Sequence, residues 1–493
     1  MFKISYIGVL FISLLFVSCD DFLEEMPSKT NSVQISTIEH LDGMLASYRN
    51  FYKEPNNAAI YGSDDYGIPM DLYNARPSTF YQKGLMWYLW DVDNLVLENS
   101  DYCFSGAYKK IFTANTILEY VDKVKGSAED KARLKAEAHF IRAYENWNLV
   151  NTYCMPYASK FFGELGLPRK ISTSYEEPMT RMSLKATYDF IEEDLHEALK
   201  SKDETIDRMW RGNAFAIKAF YARYLLFKGD YLNALKYAEE VLAVKSDLVD
   251  YNTEMHYGKD LDYTINGNKV SLKMPYTHDE QGDVVDIMGW KEFIYLRVMD
   301  HGSWWYIPSK ELLDLYDHTN DLRYKYHMVE DYSYDRSIQN YSYPGYVFFF
   351  KDRIPSGMTT ANMLLIKAEC LARTGNIQEA MNTINKLRAK RMLPGAHVNL
   401  SASTKDEAIL KVLAERRREM PFSIRWFDIR RFNYNETSID DVVLKRKFYS
   451  YNSTTILNKG AIKEYTLPEK RYAAPLTDKD IFLSNDQLKQ NKY

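Results

Sequence analysis

Apolar positions recur at helical spacing in several stretches of the chain. In Lys131–Asn148, Ala136, Phe140, Ala143 and Trp147 fall at i, i+4, i+7 and i+11, one face of an α-helix. Ser127-Ala-Glu-Asp130 supplies a capping start for it. Ser183–Leu199 predicts a second helix, acidic on its outer face. Asn213–Lys228 places Ile217, Phe220, Tyr221, Tyr224 and Leu225 on one side, and Asp230–Val244 follows at once with Ala234, Ala238, Val241 and Leu242. Thr360–Arg373 and Ile377–Lys390 form a second adjacent pair, and Thr404-Lys-Asp-Glu407 is a capping box opening a helix to about Glu419.

The two adjacent pairs repeat each other. Ala222, Leu225, Gly229 and Ala234 match Ala368, Leu371, Gly375 and Ala380 at the same offsets. The pattern describes a tight antiparallel hairpin. Glycine ends the first helix in a left-handed conformation at little steric cost, Asp or Asn caps the next, and alanines permit close approach. This resembles the tetratricopeptide helix–turn–helix, but the copies lie much further apart than that repeat's ~34-residue period. Long insertions therefore interrupt the helical units.

The insertions are Ala46–Gly106 and about Ser246–Pro355. The first carries Tyr48, Tyr52, Tyr61, Tyr66, Tyr73, Tyr81, Trp87, Tyr88 and Trp90; the second carries Trp290, Trp304, Trp305 and a tyrosine-rich run from Tyr332 to Tyr346. They read as irregular loops, and segments of that length are usually functional. No Pro/Gly linker cuts the chain into separate domains.

The N-terminus has its own signature. Met1–Ser18 has one lysine, an apolar run from Ile4 to Val17 and a small residue before Cys19. A run of about 14 residues is short for ~30 Å of hydrocarbon. The layout is that of a bacterial lipoprotein signal peptide, removed before Cys19, whose thiol would carry the lipid. Residues 19–493 are then expected to fold in water as one unit tethered to a membrane surface. The formal net charge is −5, and no long basic tract is present, which disfavours nucleic-acid binding. Cys103, Cys154 and Cys370 remain, widely spaced and without CxxC, so buried thiols are expected more than a disulfide framework. Aromatic content is the unusual figure, 15% with 40 tyrosines, which suits surfaces both apolar and hydrogen-bonding as well as an aromatic core.

Catalytic signatures are absent. The sequence contains no GxxxxGK[ST], GxGxxG, HExxH or GxSxG, and its nine histidines do not cluster at metal-ligand spacing. No cofactor is expected. Asp64-Asp65 and Asp91/Asp93 suggest Ca²⁺ only weakly, since neither has the glycine and distal glutamate of an EF-hand loop. Glu415-Arg-Arg-Arg-Glu419 with Arg425-Trp-Phe-Asp428-Ile-Arg430-Arg431 reads as an arginine–carboxylate network locking a helix to the core, with an anion clamp as the competing reading.

These residues together resemble the SusD/RagB family of outer-membrane nutrient-binding lipoproteins of Bacteroidetes. Cys19-Asp-Asp-Phe-Leu-Glu-Glu-Met-Pro27 is similar to the family's mature start. Glu137-Ala-His-Phe-Ile-Arg-Ala143 with Tyr153-Cys-Met-Pro156, Arg211–Ala219, Ile307-Pro-Ser-Lys-Glu-Leu312 with Asp321-Leu-Arg-Tyr324, the Glu415–Arg431 run and the tail Ala473–Asn491 match further motifs. One departure is Pro421-Phe-Ser-Ile424, where the family usually has F-E-G. The resemblance implies a mostly all-α fold, with tetratricopeptide-like hairpins as scaffold and loop insertions as the ligand face. It implies no enzyme activity, and capture of glycan or peptide as the lid of a SusC-like TonB-dependent transporter at the outer membrane. A protein–protein scaffold using only its hairpins is the alternative of another class. Candidate stacking platforms are Trp87, Trp90, Trp304 and Trp305, with Tyr66, Tyr73 and Trp290 secondary and Asn94 as a polar contact.

Overall fold

The computed structural model describes residues 34–93, 102–279, 284–300, 305–350, 353–396, 399–452 and 455–493. Long helices form where the apolar period runs uninterrupted between caps. The helix expected at Lys131–Asn148 extends over Ala128–Tyr153, capped by Ser127, whose hydroxyl accepts from Asp130 N–H. Leu184–Ala198 is capped in the same way by Ser183, and Lys405–Glu419 by Thr404.

Both hairpins are present. Ala214–Lys228 turns into Tyr231–Leu242 through Gly229, at φ +81°, and Thr360–Arg373 turns into Ile377–Arg388 through Gly375, at φ +90°. At these two turns the left-handed backbone is what makes glycine the fitting residue. Tyr231–Leu242 packs on Thr360–Arg373, so the two hairpins, far apart in sequence, are neighbours in space. The structure is thus mostly helical, with short strands in the connections and no barrel among the described residues.

The insertions are less irregular than expected. The first contains short helices Asn57–Gly62, Met70–Ala75 and Gln82–Tyr88, and its last residues open the 19-residue helix Tyr102–Tyr120. Lys53–Pro55 runs parallel to Val298–Asp300, which pairs antiparallel with Arg353–Pro355. One three-stranded sheet therefore ties the first insertion to the second.

The largest core cluster draws on the insertions as much as on the hairpins, from Tyr52 to Leu488. Around it lies an ionic lattice built by Lys405–Glu419 and Arg425–Phe432. Glu369 receives Arg431 at 2.6 and 2.7 Å and Arg373 at 2.8 Å. Asp428 joins Arg416 and Arg431, at 2.7 and 2.8 Å. Glu415 is fully buried and contacts Arg388, Arg323 and Arg418 at 2.6, 2.8 and 3.0 Å. The arginine-rich run is therefore a structural network, the reading preferred from the sequence. Among the described residues the three cysteines are free, and no helix is long and apolar enough to cross a membrane.

Burial opposes ionisation of Glu415, but Arg323, Arg388 and Arg418 outweigh it and lower its pKa to about 2. A depressed carboxylate stabilises the fold above its unfolded pKa of about 4.3, and that contribution is lost as pH falls to the folded value. Thermal unfolding followed by circular dichroism is expected to show a midpoint dropping between about pH 4.3 and pH 2. Glu415→Gln is expected to lower the midpoint at pH 7 and to flatten that drop.

Candidate functional site

The two insertions meet at one corner of the fold, and side chains from both line a pocket there. The corner is anchored by Asp64 and Asp65. Arg425 grips Asp64 with two parallel bonds, Nε to Oδ1 at 2.8 Å and Nη2 to Oδ2 at 2.9 Å. Arg417 Nε donates to Asp65 Oδ1 at 2.6 Å, and the backbone N–H of Phe422 donates to Asp65 Oδ2 at 2.7 Å. The second insertion closes on the same dipeptide. Ser309 donates its N–H to the Asp65 carbonyl at 2.7 Å and its hydroxyl to the Asp64 carbonyl at 2.6 Å. Gly67 is required here, since a Cβ would lie 2.6 Å from Ser309 Cα.

Both aspartates are thus engaged by arginines. Burial raises the cost of ionising Asp64, but Arg425 and Arg417 hold its carboxyl well below the usual range. Burial pushes Asp65 the other way, against the pull of Arg417. Asp93 is likewise paired, with Arg471 at 2.5 Å. The turn that departs from the family motif is explained by the same junction. Phe422 adopts φ +62°, a conformation costing a non-glycine residue about 1–3 kcal/mol. Its N–H bond to Asp65 and its ring contacts with Tyr306 at 5.2 Å and Tyr346 at 5.6 Å offset that cost.

The pocket lies beside this junction. Its wall is Tyr61, Tyr66, Phe80, Tyr81 and Leu85 from the first insertion, and Trp305, Ile307 and Arg336 from the second. The cavity measures about 50 Å³, room for one substituent of a larger ligand lying across its mouth. Phe80 and Trp305 incline at 31° with centroids 6.1 Å apart. Tyr66 hydroxyl donates to the Trp305 carbonyl at 3.3 Å, fixing that segment. Arg76 Nη1 donates to the Ser337 carbonyl at 2.7 Å and joins the rims. Tyr81 is 56% exposed and forms the open lip.

The structure redistributes the candidate residues. Trp90, Trp305, Trp290, Tyr66 and Tyr73 are all buried, so the expectation that they form exposed platforms is corrected. Trp90 takes φ +52°, donates to the Gly62 carbonyl and lies 4.3 Å from the Arg446 guanidinium, which also contacts the Tyr88 ring at 3.9 Å. It is an internal strut for Arg446. Trp290 packs edge-on against Phe348 and Phe349. Tyr73 packs on Phe448 and donates to Asn458 Oδ1 at 2.6 Å. Trp305 and Tyr66 show only part of their surface, as pocket wall. Trp87 is half-buried against the core. Cys19, Asn94 and Trp304 lie outside the described residues. Tyr81, Phe80 and Arg336 were not singled out from the sequence. Tyr81 belongs to the insertion's aromatic run, but nothing in that run marks which ring stays open.

The chain is thus a scaffold of paired helical hairpins with loop insertions converging on an aromatic pocket. A family model described as "Starch-binding associating with outer membrane" matches residues 21–226, and the SusD family model matches residues 352–493. Together they span more than two thirds of the chain, which belongs to the SusD family. Among solved structures, a SusD superfamily protein from Bacteroides thetaiotaomicron is similar at 17% identity and TM-score 0.62, over 93% of this chain and all of that one. A SusD-like carbohydrate-binding protein from Bacteroides vulgatus is similar at 16% identity and TM-score 0.60, over 92% and 97%. A laminarin-binding SusD-like protein matches at 16% and 0.52, over 83% and 96%. No curated protein matches the chain.

The burial pattern separates struts from lip. Trp90→Ala is expected to cost about 3–5 kcal/mol in urea unfolding, as for other buried aromatics. Tyr81→Ala, at an exposed position, is expected to stay within about 0.5 kcal/mol of the parent.

Proposed function

We propose that this protein captures a glycan at the bacterial cell surface, at the pocket lined by Phe80, Tyr81, Trp305 and Arg336. The observation that carries the reading is the convergence of two aromatic insertions from opposite halves of the chain on one pocket. A sugar ring offers an apolar C–H face and a hydroxylated edge. Inclined aromatic rings cover the first, while the Thr79 hydroxyl and the Arg336 guanidinium suit the second. Membership of the SusD family and the resemblance to carbohydrate- and laminarin-binding structures support the same class of ligand.

In this reading Cys19 carries a lipid that holds the protein at the outer membrane, and the partner is a SusC-like TonB-dependent transporter over which it forms a lid. The protein binds its ligand and passes it on without cleaving it.

The test is calorimetric titration of the soluble chain with plant, host and microbial glycans, with peptides in the same panel. Saturable binding of one glycan class is expected, weakened at least tenfold in Tyr81→Ala, about 1.4 kcal/mol. Binding of peptides alone, or glycan binding untouched by Tyr81→Ala, would contradict the assignment.

A further inference from the structure

A second concavity lies elsewhere on the molecule and shares no lining residue with the first. It runs between the Tyr102–Tyr120 helix, the loop 170–179 and the Asp478–Leu483 helix. Its volume, about 490 Å³, falls in the range of small-ligand sites, roughly 300–1,000 Å³. We propose that this groove is a second binding site, for a neutral oligosaccharide, with Phe112 and Tyr175 as its stacking platform.

Three observations carry the inference. The first is the platform. Tyr175 is 93% exposed and Phe112 39% exposed, and their rings lie nearly parallel, at 21° with centroids 5.9 Å apart. Both rings leave apolar surface open to solvent beside the groove, and such surface can meet the C–H face of a sugar.

The second is preorganisation. A tyrosine so exposed gains almost nothing from packing, yet the loop that carries it is tied down at several points. Glu177 accepts from the N–H of Ile171 at 2.9 Å and of Ser172 at 3.2 Å. Lys170 Nζ donates to the Glu177 carbonyl at 2.7 Å, Thr173 hydroxyl to Glu119 at 2.6 Å, and Asn115 Nδ2 to the Ser172 carbonyl at 3.2 Å. A loop whose backbone is tied down in this way lowers the ordering cost that a ligand resting on Tyr175 would have to meet.

The third is charge. Of the charged groups lining the groove, Lys170 is matched by Glu177 at 3.2 Å, while Lys109 and Asp480 are opposite in sign. The wall is close to neutral, and Ser105, Ser174 and Ser484 set hydroxyls around the platform. That combination suits a polyhydroxylated neutral chain over an acidic one. The inference rests on the glycan reading above, but its test can fail independently.

Laminarihexaose, cellohexaose, maltohexaose and xylohexaose are titrated by calorimetry into the full soluble chain, into Phe112→Ala/Tyr175→Ala and into Tyr81→Ala. At least one hexasaccharide is expected to bind the parent protein at two sites. The Phe112→Ala/Tyr175→Ala variant is expected to keep the parent's thermal midpoint within a few degrees and to lose one site, at least tenfold in affinity, while Tyr81→Ala loses the other. Unchanged stoichiometry in Phe112→Ala/Tyr175→Ala would overturn the second site and leave the first standing. A loss confined to that variant, with Tyr81→Ala unaffected, would overturn the first and leave the second. No binding of any hexasaccharide would overturn both. Loss of a copurifying outer-membrane barrel from Phe112→Ala/Tyr175→Ala, with sugar stoichiometry unchanged, would assign the groove to a protein contact instead.

Discussion

Two adjacent carboxylates, Asp64 and Asp65, hold the junction on which the candidate pocket depends. Their side chains accept from Arg417 and Arg425, on the helices after the second hairpin, while their backbone carbonyls accept from Ser309 in the second insertion. Scaffold, first insertion and second insertion thus meet within two residues. Buried charges of this kind are costly to take out of water. Their desolvation is tolerable only with complete partners, and removing one partner typically costs about 3–5 kcal/mol. Such a junction favours one arrangement of the insertions over near alternatives, because a shifted loop would leave guanidinium groups buried without carboxylates.

The helical scaffold was legible because its signals are local. Glycine at both hairpin turns, Asp230 at the first and Ser or Thr at helix starts state their own geometry, and Gly229, Gly375, Ser127 and Thr404 act as their neighbours in sequence imply, whereas Asn376 at the second turn makes no side-chain capping bond. The arginine network was legible in kind, since alternating arginines and acids on a helix with apolar neighbours need buried partners. Its distant partners were not: the pairing of Arg425 with Asp64 spans most of the chain. Tyr102–Tyr120 was missed because its period is diluted by Lys109, Lys110, Thr113 and Asn115.

The candidate site was legible only as a region. Aromatic runs in the insertions pointed to the right segments, but burial decides which rings meet a ligand, and burial is set by long-range packing. Trp90 is drawn inward to flank Arg446, whose guanidinium donates to the carbonyls of Tyr61, Ser63 and Tyr88. Burial pushes the Arg446 pKa down to about 10, still ionised at neutral pH, so an aromatic clamp on both sides suits its environment. Tryptophan content therefore marked the struts of the site, while less conspicuous residues, Phe80 and Tyr81, form its lip. The same economy applies at Tyr175, whose ring is prominent only because an ordered loop carries it outward.

The central claim is that the aspartate–arginine junction holds both insertions to the helical scaffold as one unit. Hydrogen exchange read by mass spectrometry, comparing the parent chain with Arg417→Ala, tests it most directly. The account predicts faster exchange in residues 57–88 and 305–309 together, with the hairpin Ala214–Leu242 protected as before. Faster exchange confined to the mutated helix, or an unchanged pattern in both insertions, would contradict it.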